Sequence, residues 1–305
     1  MVLHSQITEQ RRKETEDVIF ENIYTKFDFE RPLSCTSQIC NQEFFGLPFY
    51  QYWTARLKEK PWFHRKQWEF VYIAQTLFEN NMLTAGSRGL GFGVGVEPLP
   101  ALFASMECKI TASDMDTDSD AAKKWESSKQ HSGNKIELLN QKGICPPDVF
   151  AANVSFRNID MNKIPDDLRG AGQFDFIWSS CALEHIGGPQ KSADFIFNSL
   201  DTLRPGGLAV HTTEYNLSSD EDTHEDPYGY VFRKKDIEGI VEKIYRLGHY
   251  VYPLDFRQGI QPADTFVDEF PYKQELHLRL RLEHYAATSL GIIIRKGIKC
   301  RPAAE

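Results

Sequence analysis

The sequence predicts a doubly wound α/β fold built on a mostly parallel sheet. Three observations carry this expectation. From about residue 84 onward, apolar runs of strand length alternate with segments of helical spacing. Strands separated by helices of roughly 10–15 residues form βαβ units, and right-handed crossovers cover both faces of the resulting sheet. A glycine-rich run, GLGFGVGVEPLP (89–100), stands where the first of these strands meets a helix, and acidic residues follow at the ends of later strands.

The elements follow in order. Residues 1–80 are helical in pattern and rich in rings: QEFFGLPFYQYWTARL precedes WFHRKQWEFVYIAQTLFEN, where Phe70, Ile73, Ala74 and Leu77 lie at i, i+3, i+4 and i+7 and make one apolar helix face. They are read as an N-terminal helical cap on a main domain of residues 81–305. The cap either simply packs on that domain or also covers its active site. Pro98 suits the first turn of a helix carrying Leu99, Leu102, Phe103 and Met106. KITASD (109–114) is a short strand ending in acid, and FDFIWSSC (174–181) is a buried strand. Ala193, Ile196, Phe197 and Leu200 form another helix face. LRPGG (203–207) turns tightly into the strand GGLAVHTT (206–213). Ile237, Ile240, Val241 and Ile244 mark a further helix that Gly248 would close. TSLGIIIRKG is the last strand, and NLSSDEDTHEDPYG (216–229) reads as a surface loop.

Composition narrows the partners. The chain has 305 residues, enough for one large α/β domain with a helical extension. Its formal net charge of -8 argues against a nucleic-acid backbone as partner. No apolar run approaches the roughly 20 residues of a membrane span, and the charged N-terminus lacks a signal-peptide core. A cytoplasmic protein without a membrane partner is expected. The six cysteines form no CxxC pair, so reduced thiols and no metal site are expected. The acids of DEDTHED, with His185, Glu214 and His224, are the one set that suits a hard cation, and a solvated surface accounts for them more simply.

Ligands of such sheets bind beyond the carboxyl ends of the strands. At the first end stand Gly89, Gly91, Gly93 and Gly95, which let the backbone turn and approach a ligand closely. The second strand ends at Asp114, with Asp116 close behind, and an acid there can accept both hydroxyls of a ribose. Asp160 follows the third strand and can accept from an exocyclic amine. SSCALEHIGG (179–188) brings Glu184 and His185 to the fourth strand end.

This order of glycine loop, two acids, DFIWSSCALEHI and LRPGGLAV resembles the class I S-adenosylmethionine-dependent methyltransferases, well over residues 84–215 and loosely over the last ninety. The resemblance implies a Rossmann-like, seven-stranded, mostly parallel sheet with an antiparallel last strand, and S-adenosyl-L-methionine as cofactor. It places Gly91, Gly93 and Gly95 against the methionine part, Asp114 on the ribose and Asp160 on the adenine. Met161 and Ser180 beside them complete the expected cofactor site. The family's acid, two residues before the first glycine of its core loop, has no counterpart between Gly89 and Gly91; Glu97, just after the loop, is the residue available to compensate. Within the family the chain resembles bacterial enzymes acting on glycans or secondary metabolites.

Methyl transfer to a hydroxyl needs a proton acceptor. His185 is the first candidate, with His211 and Glu214 at the end of the fifth strand behind it. The acceptor is expected to be a small molecule or a glycan, and the ring-rich cap suits a homo-oligomer contact. Two rivals stand beside this reading. TAGSRGLG (84–91), with Tyr230 and Lys234 in a YxxxK pair, resembles an NADP-dependent short-chain dehydrogenase. The absent loop acid motivates a non-catalytic interaction module.

Overall fold

The structure, a computed structural model, describes residues 35–116 and 136–298 apart from positions 171, 227, 228 and 274. The first 34 residues of the expected cap, and Cys300, lie outside the described residues.

The chain begins with strand β1 (Ser37–Gln38), short helix α1 (Gln42–Phe45), α2 (Pro48–Arg56) and α3 (Arg65–Glu79). There follow β2 (Arg88–Phe92), α4 (Leu99–Ala104), β3 (Lys109–Asp114), α5 (Pro147–Asn153), β4 (Val154–Asn158), β5 (Phe174–Ser180), α6 (Pro189–Leu200) and β6 (Leu203–Asn216). The last third carries the hairpin β7 (Glu225–Asp226) and β8 (Gly229–Tyr230), α7 (Lys234–Arg246), β9 (Tyr250–Val251), β10 (Leu254–Asp255), α8 (Pro262–Thr265), β11 (Leu280–Leu282) and β12 (Tyr285–Arg295).

The main sheet runs β11-β12-β6-β5-β2-β3-β4, with β9 added beside β12. The strands from β4 to β6 are all parallel, and β12 enters antiparallel against β6. The expected mostly parallel α/β sheet with an antiparallel last strand is therefore present, with β9 as a short addition. From β2 the chain winds outward through β3 to β4, then returns to β5 on the other side of β2. The reversal lies between β2 and β5, and a crevice opens at the carboxyl ends of strands where the order reverses.

Side-chain alternation explains the layers. Along β5, Phe176 and Trp178 join the apolar cluster of one face, and Ile177 joins that of the other. The first face carries α3 and α4, the second α6 and α7. Helix α3 is buried over most of its circumference, from Gln67 to Leu77. The end of the expected cap is thus a layer of the sheet, sharing one core with Trp178. Strand β1 pairs with β10 and binds this segment to the C-terminal part. The expected surface loop 216–229 begins in β6 at Asn216 and carries most of the β7–β8 hairpin, which runs on to Tyr230, and Gly248 closes α7 with φ +83°. Among the described residues no helix is long and apolar enough to cross a membrane.

Candidate functional site

Beyond β2 the chain turns at Gly93 (φ +60°) and Gly95 (φ +50°). A Cβ on Gly93 would stand 3.0 Å from Ala182 Cβ and 3.4 Å from Met161 Sδ. The bare backbone leaves room for a cavity of about 1020 Å³ at the strand reversal. Gly93, Gly95, Glu97, Asp114, Asp160, Met161, Ser180 and His185 all line it. The sequence expectation thus converges on one cavity from four separate strand ends.

Asp114 ends β3 and fastens the turn: its Oδ2 accepts from Gly95 N at 3.1 Å and its Oδ1 from Met115 N at 2.8 Å. Asp160 is exposed on the wall, and its Oδ1 accepts from Asn162 N at 2.8 Å. Glu97 is buried, and its Oε1 accepts from the indole Nε1 of Trp178 at 2.6 Å. Burial pushes its carboxyl up to about 8, against the Trp178 hydrogen bond and the charge of Lys66, which favour the ionised form.

Three expected residues lie elsewhere. Gly91 sits inside β2 as the register partner of Trp178. A Cβ there would meet the Trp178 ring at 2.4 Å, so this glycine makes room for an indole and does not line the cavity. His211 is fully buried under Phe195 and shares a 2.8 Å hydrogen bond with Ser179. Burial pushes its imidazole down to about 3, so it stays neutral and sealed from substrate. Glu214 is half-buried, ion-paired with Arg65 and off the cavity wall.

The sequence reading left open whether the cap covers the site and named none of the residues with which α3 walls it. Lys66 and Phe70 line the cavity from this helix, whose first turn is capped by His64 through Lys66 N at 3.1 Å. Behind them Glu69 is fully buried. It accepts from Lys66 Nζ at 2.7 Å, Ser180 Oγ at 3.0 Å, Cys181 Sγ at 2.9 Å and Ser289 Oγ at 2.5 Å, with Arg65 at 3.4 Å. Burial pushes its carboxyl up, but Lys66 and Arg65 more than offset this and hold it at about 2. The adjacent charges in RKQWE carried a signal, since a buried helix face seldom holds three of them unpaired. Cys181, also on the wall, keeps its proton because burial pushes the thiol well up.

The dehydrogenase pattern does not assemble. The Tyr230 hydroxyl donates to Asp236 at 2.8 Å, and Lys234 is exposed beside Glu238. Neither lines the cavity.

No protein-family model and no curated protein matches the chain. Among solved structures it is similar to magnesium protoporphyrin IX methyltransferase of Synechocystis with S-adenosylhomocysteine bound, at 13% identity and a TM-score of 0.44, over 84% of this chain and 98% of the other. It is also similar to an S-adenosylmethionine-dependent methyltransferase of Mesorhizobium loti, at 14% identity and a TM-score of 0.45, over 74% of this chain and 98% of the other.

Proposed function

We propose that this chain is a methyltransferase that uses S-adenosylmethionine to methylate a hydroxyl of a small molecule or glycan. One observation carries the reading: the Gly93–Gly95 turn, fastened to Asp114, opens a cavity at the strand reversal that also receives Glu97 and Asp160. This donor set fits the group. Backbone at Gly93 and Gly95 can approach the methionine part, and acceptor oxygens on Asp114 and Asp160 suit ribose hydroxyls and the adenine amine. Met161 and Ser180 line the space between them.

When bound, S-adenosylmethionine supplies a methyl group on a sulfonium that is already a strong electrophile. The residues of the chain then have mainly to align and to exclude water. Lys66 and Phe70 bound the cavity on the side of α3. His185 is exposed on the cavity wall and takes the proton that an acceptor hydroxyl loses on methylation.

The test is calorimetric titration of S-adenosylmethionine and NADPH into wild type and Asp114→Asn. The reading expects S-adenosylmethionine binding that weakens in the variant, and no NADPH signal. Binding of NADPH alone overturns it.

A further inference from the structure

A side chain at position 89 or 91 of β2 is sterically excluded here, because Phe176 and Trp178 occupy the places of the Gly89 and Gly91 side chains. A carboxyl reaches the same end of the cavity from the opposite direction. Glu97 stands two residues before α4, buried, with one oxygen held by Trp178. Its other oxygen has no hydrogen-bond partner among the described residues. A carboxyl oxygen left open on the wall of a large cavity calls for a polar partner from a ligand.

We infer that Glu97 engages the cationic amino group at the methionine end of the cofactor, and that it gives up a proton to do so. The inference rests on the S-adenosylmethionine reading above. The groups that face Glu97 are few. Trp178 on β5 and Lys66 on α3 favour the carboxylate; Glu69 on α3 and Asp114 on β3 oppose it. Without a cationic partner burial prevails, and with a value of about 8 the carboxyl is mostly neutral at pH 7. An ammonium group brought against it reverses the balance, because an opposite charge within a few ångströms favours the ionised form. The proton passes from the Glu97 carboxyl to solvent, and no bond of the cofactor changes.

Binding therefore consumes the ionised carboxylate and the protonated amine together. Below pH 8, where Glu97 without a cationic partner is protonated, affinity rises by up to roughly tenfold per pH unit. Above that, an ordinary α-amino group, with its pKa near about 8, begins to lose its own proton and affinity falls again.

The experiment is calorimetry of S-adenosylmethionine binding at pH 7 in two buffers of different ionisation enthalpy, which counts protons exchanged. It compares wild type with Glu97→Gln, and the cofactor with an analogue carrying hydrogen in place of the α-amino group. Wild type is expected to release roughly 0.8 proton per site with the cofactor and none with the analogue. Glu97→Gln is expected to release none and, at pH 8, to bind the cofactor roughly 10- to 100-fold more weakly. Cofactor binding to wild type without proton release overturns the inference and leaves the methyltransferase reading standing. Release that is the same with the analogue also overturns it, using wild type alone. No cofactor binding to wild type at pH 7 or 8 overturns the methyltransferase reading and the inference with it.

Discussion

Trp178 and Glu97 are joined by a 2.6 Å hydrogen bond from the indole Nε1 to Oε1, and the same indole fills the space over Gly91. One side chain therefore both bars a side chain at position 91 and holds the acid that follows the turn. Trp178→Phe keeps an aromatic ring and removes the donor. Without that hydrogen bond the Glu97 carboxyl moves further above about 8, since the bond favours the charged form. Cofactor affinity at pH 7 should fall roughly tenfold and recover in part at higher pH. Titration calorimetry at two pH values checks this, and equal losses at both would contradict it.

The close approach at Gly91 makes a separate prediction about stability. A Cβ there would lie 2.4 Å from Trp178 Cζ2 and 2.6 Å from Val94 Cγ1. Gly91→Ala should cost about 1–3 kcal/mol through overpacking. Combined with Trp178→Phe, the loss should be less than additive, because the smaller ring gives way. Gly239, inside α7, has nothing within 4 Å of its would-be Cβ. Gly239→Ala should instead add about 0.4–1 kcal/mol. Denaturant midpoints of the four variants decide both points.

Much of the architecture was legible because it depends on local periodicity. β3 spans the residues read as KITASD, and α7 carries the apolar spacing read from Ile237 to Ile244. The acids at 114 and 160 reach the cavity because strand ends in a parallel sheet share one edge. Gly91 was misplaced because its neighbour Trp178 is 87 positions along the chain in numbering but in register across β2 and β5. His211 sits on a strand that points alternate side chains to opposite faces, and its neighbour Phe195 arrives from α6. Which face is wet cannot be read from alternation alone. The partners of the polar residues on α3 were hidden for the same reason, since they lie on β5 and β12.

Glu69 makes the protein acid-sensitive. Its carboxyl is at about 2 in the folded chain, against an ordinary glutamate value near 4.3 in the unfolded chain. A depressed acid contributes stability above its unfolded value and loses it as pH falls through the folded one. The contribution is about 3 kcal/mol at pH 7 and disappears between roughly pH 5 and pH 2. Glu69→Gln should flatten the stability profile over that interval. Because Lys66 then loses its carboxylate partner and Arg65 keeps only Glu214, it should also lower stability at pH 7 by about 3 kcal/mol or more. A variant with the wild-type slope below pH 5 would show that other carboxylates carry the effect.

The two histidines considered as proton acceptors separate cleanly in position. His185 is exposed on the cavity wall, whereas His211 is fully buried between the sheet and Phe195 and pushed down to about 3. With a hydroxyl acceptor, His185→Gln should lower kcat by roughly 10²- to 10⁴-fold and change the Kd for S-adenosylmethionine little. His211→Asn can keep the hydrogen bond to Ser179, so kcat should stay close to wild type. Its cost falls on stability, about 1–2 kcal/mol, because a buried ring is replaced by a smaller side chain. The sign of the pH dependence is also fixed. A histidine held neutral by burial contributes stability fully above its unfolded value near 6.5, and this is lost as pH falls toward 3. That acid loss should be shallower in His211→Asn. Turnover to S-adenosylhomocysteine with an acceptor hydroxyl, measured for both variants beside their melting curves, tests the assignment. A kcat loss in His211→Asn equal to that in His185→Gln would remove His185 from the role.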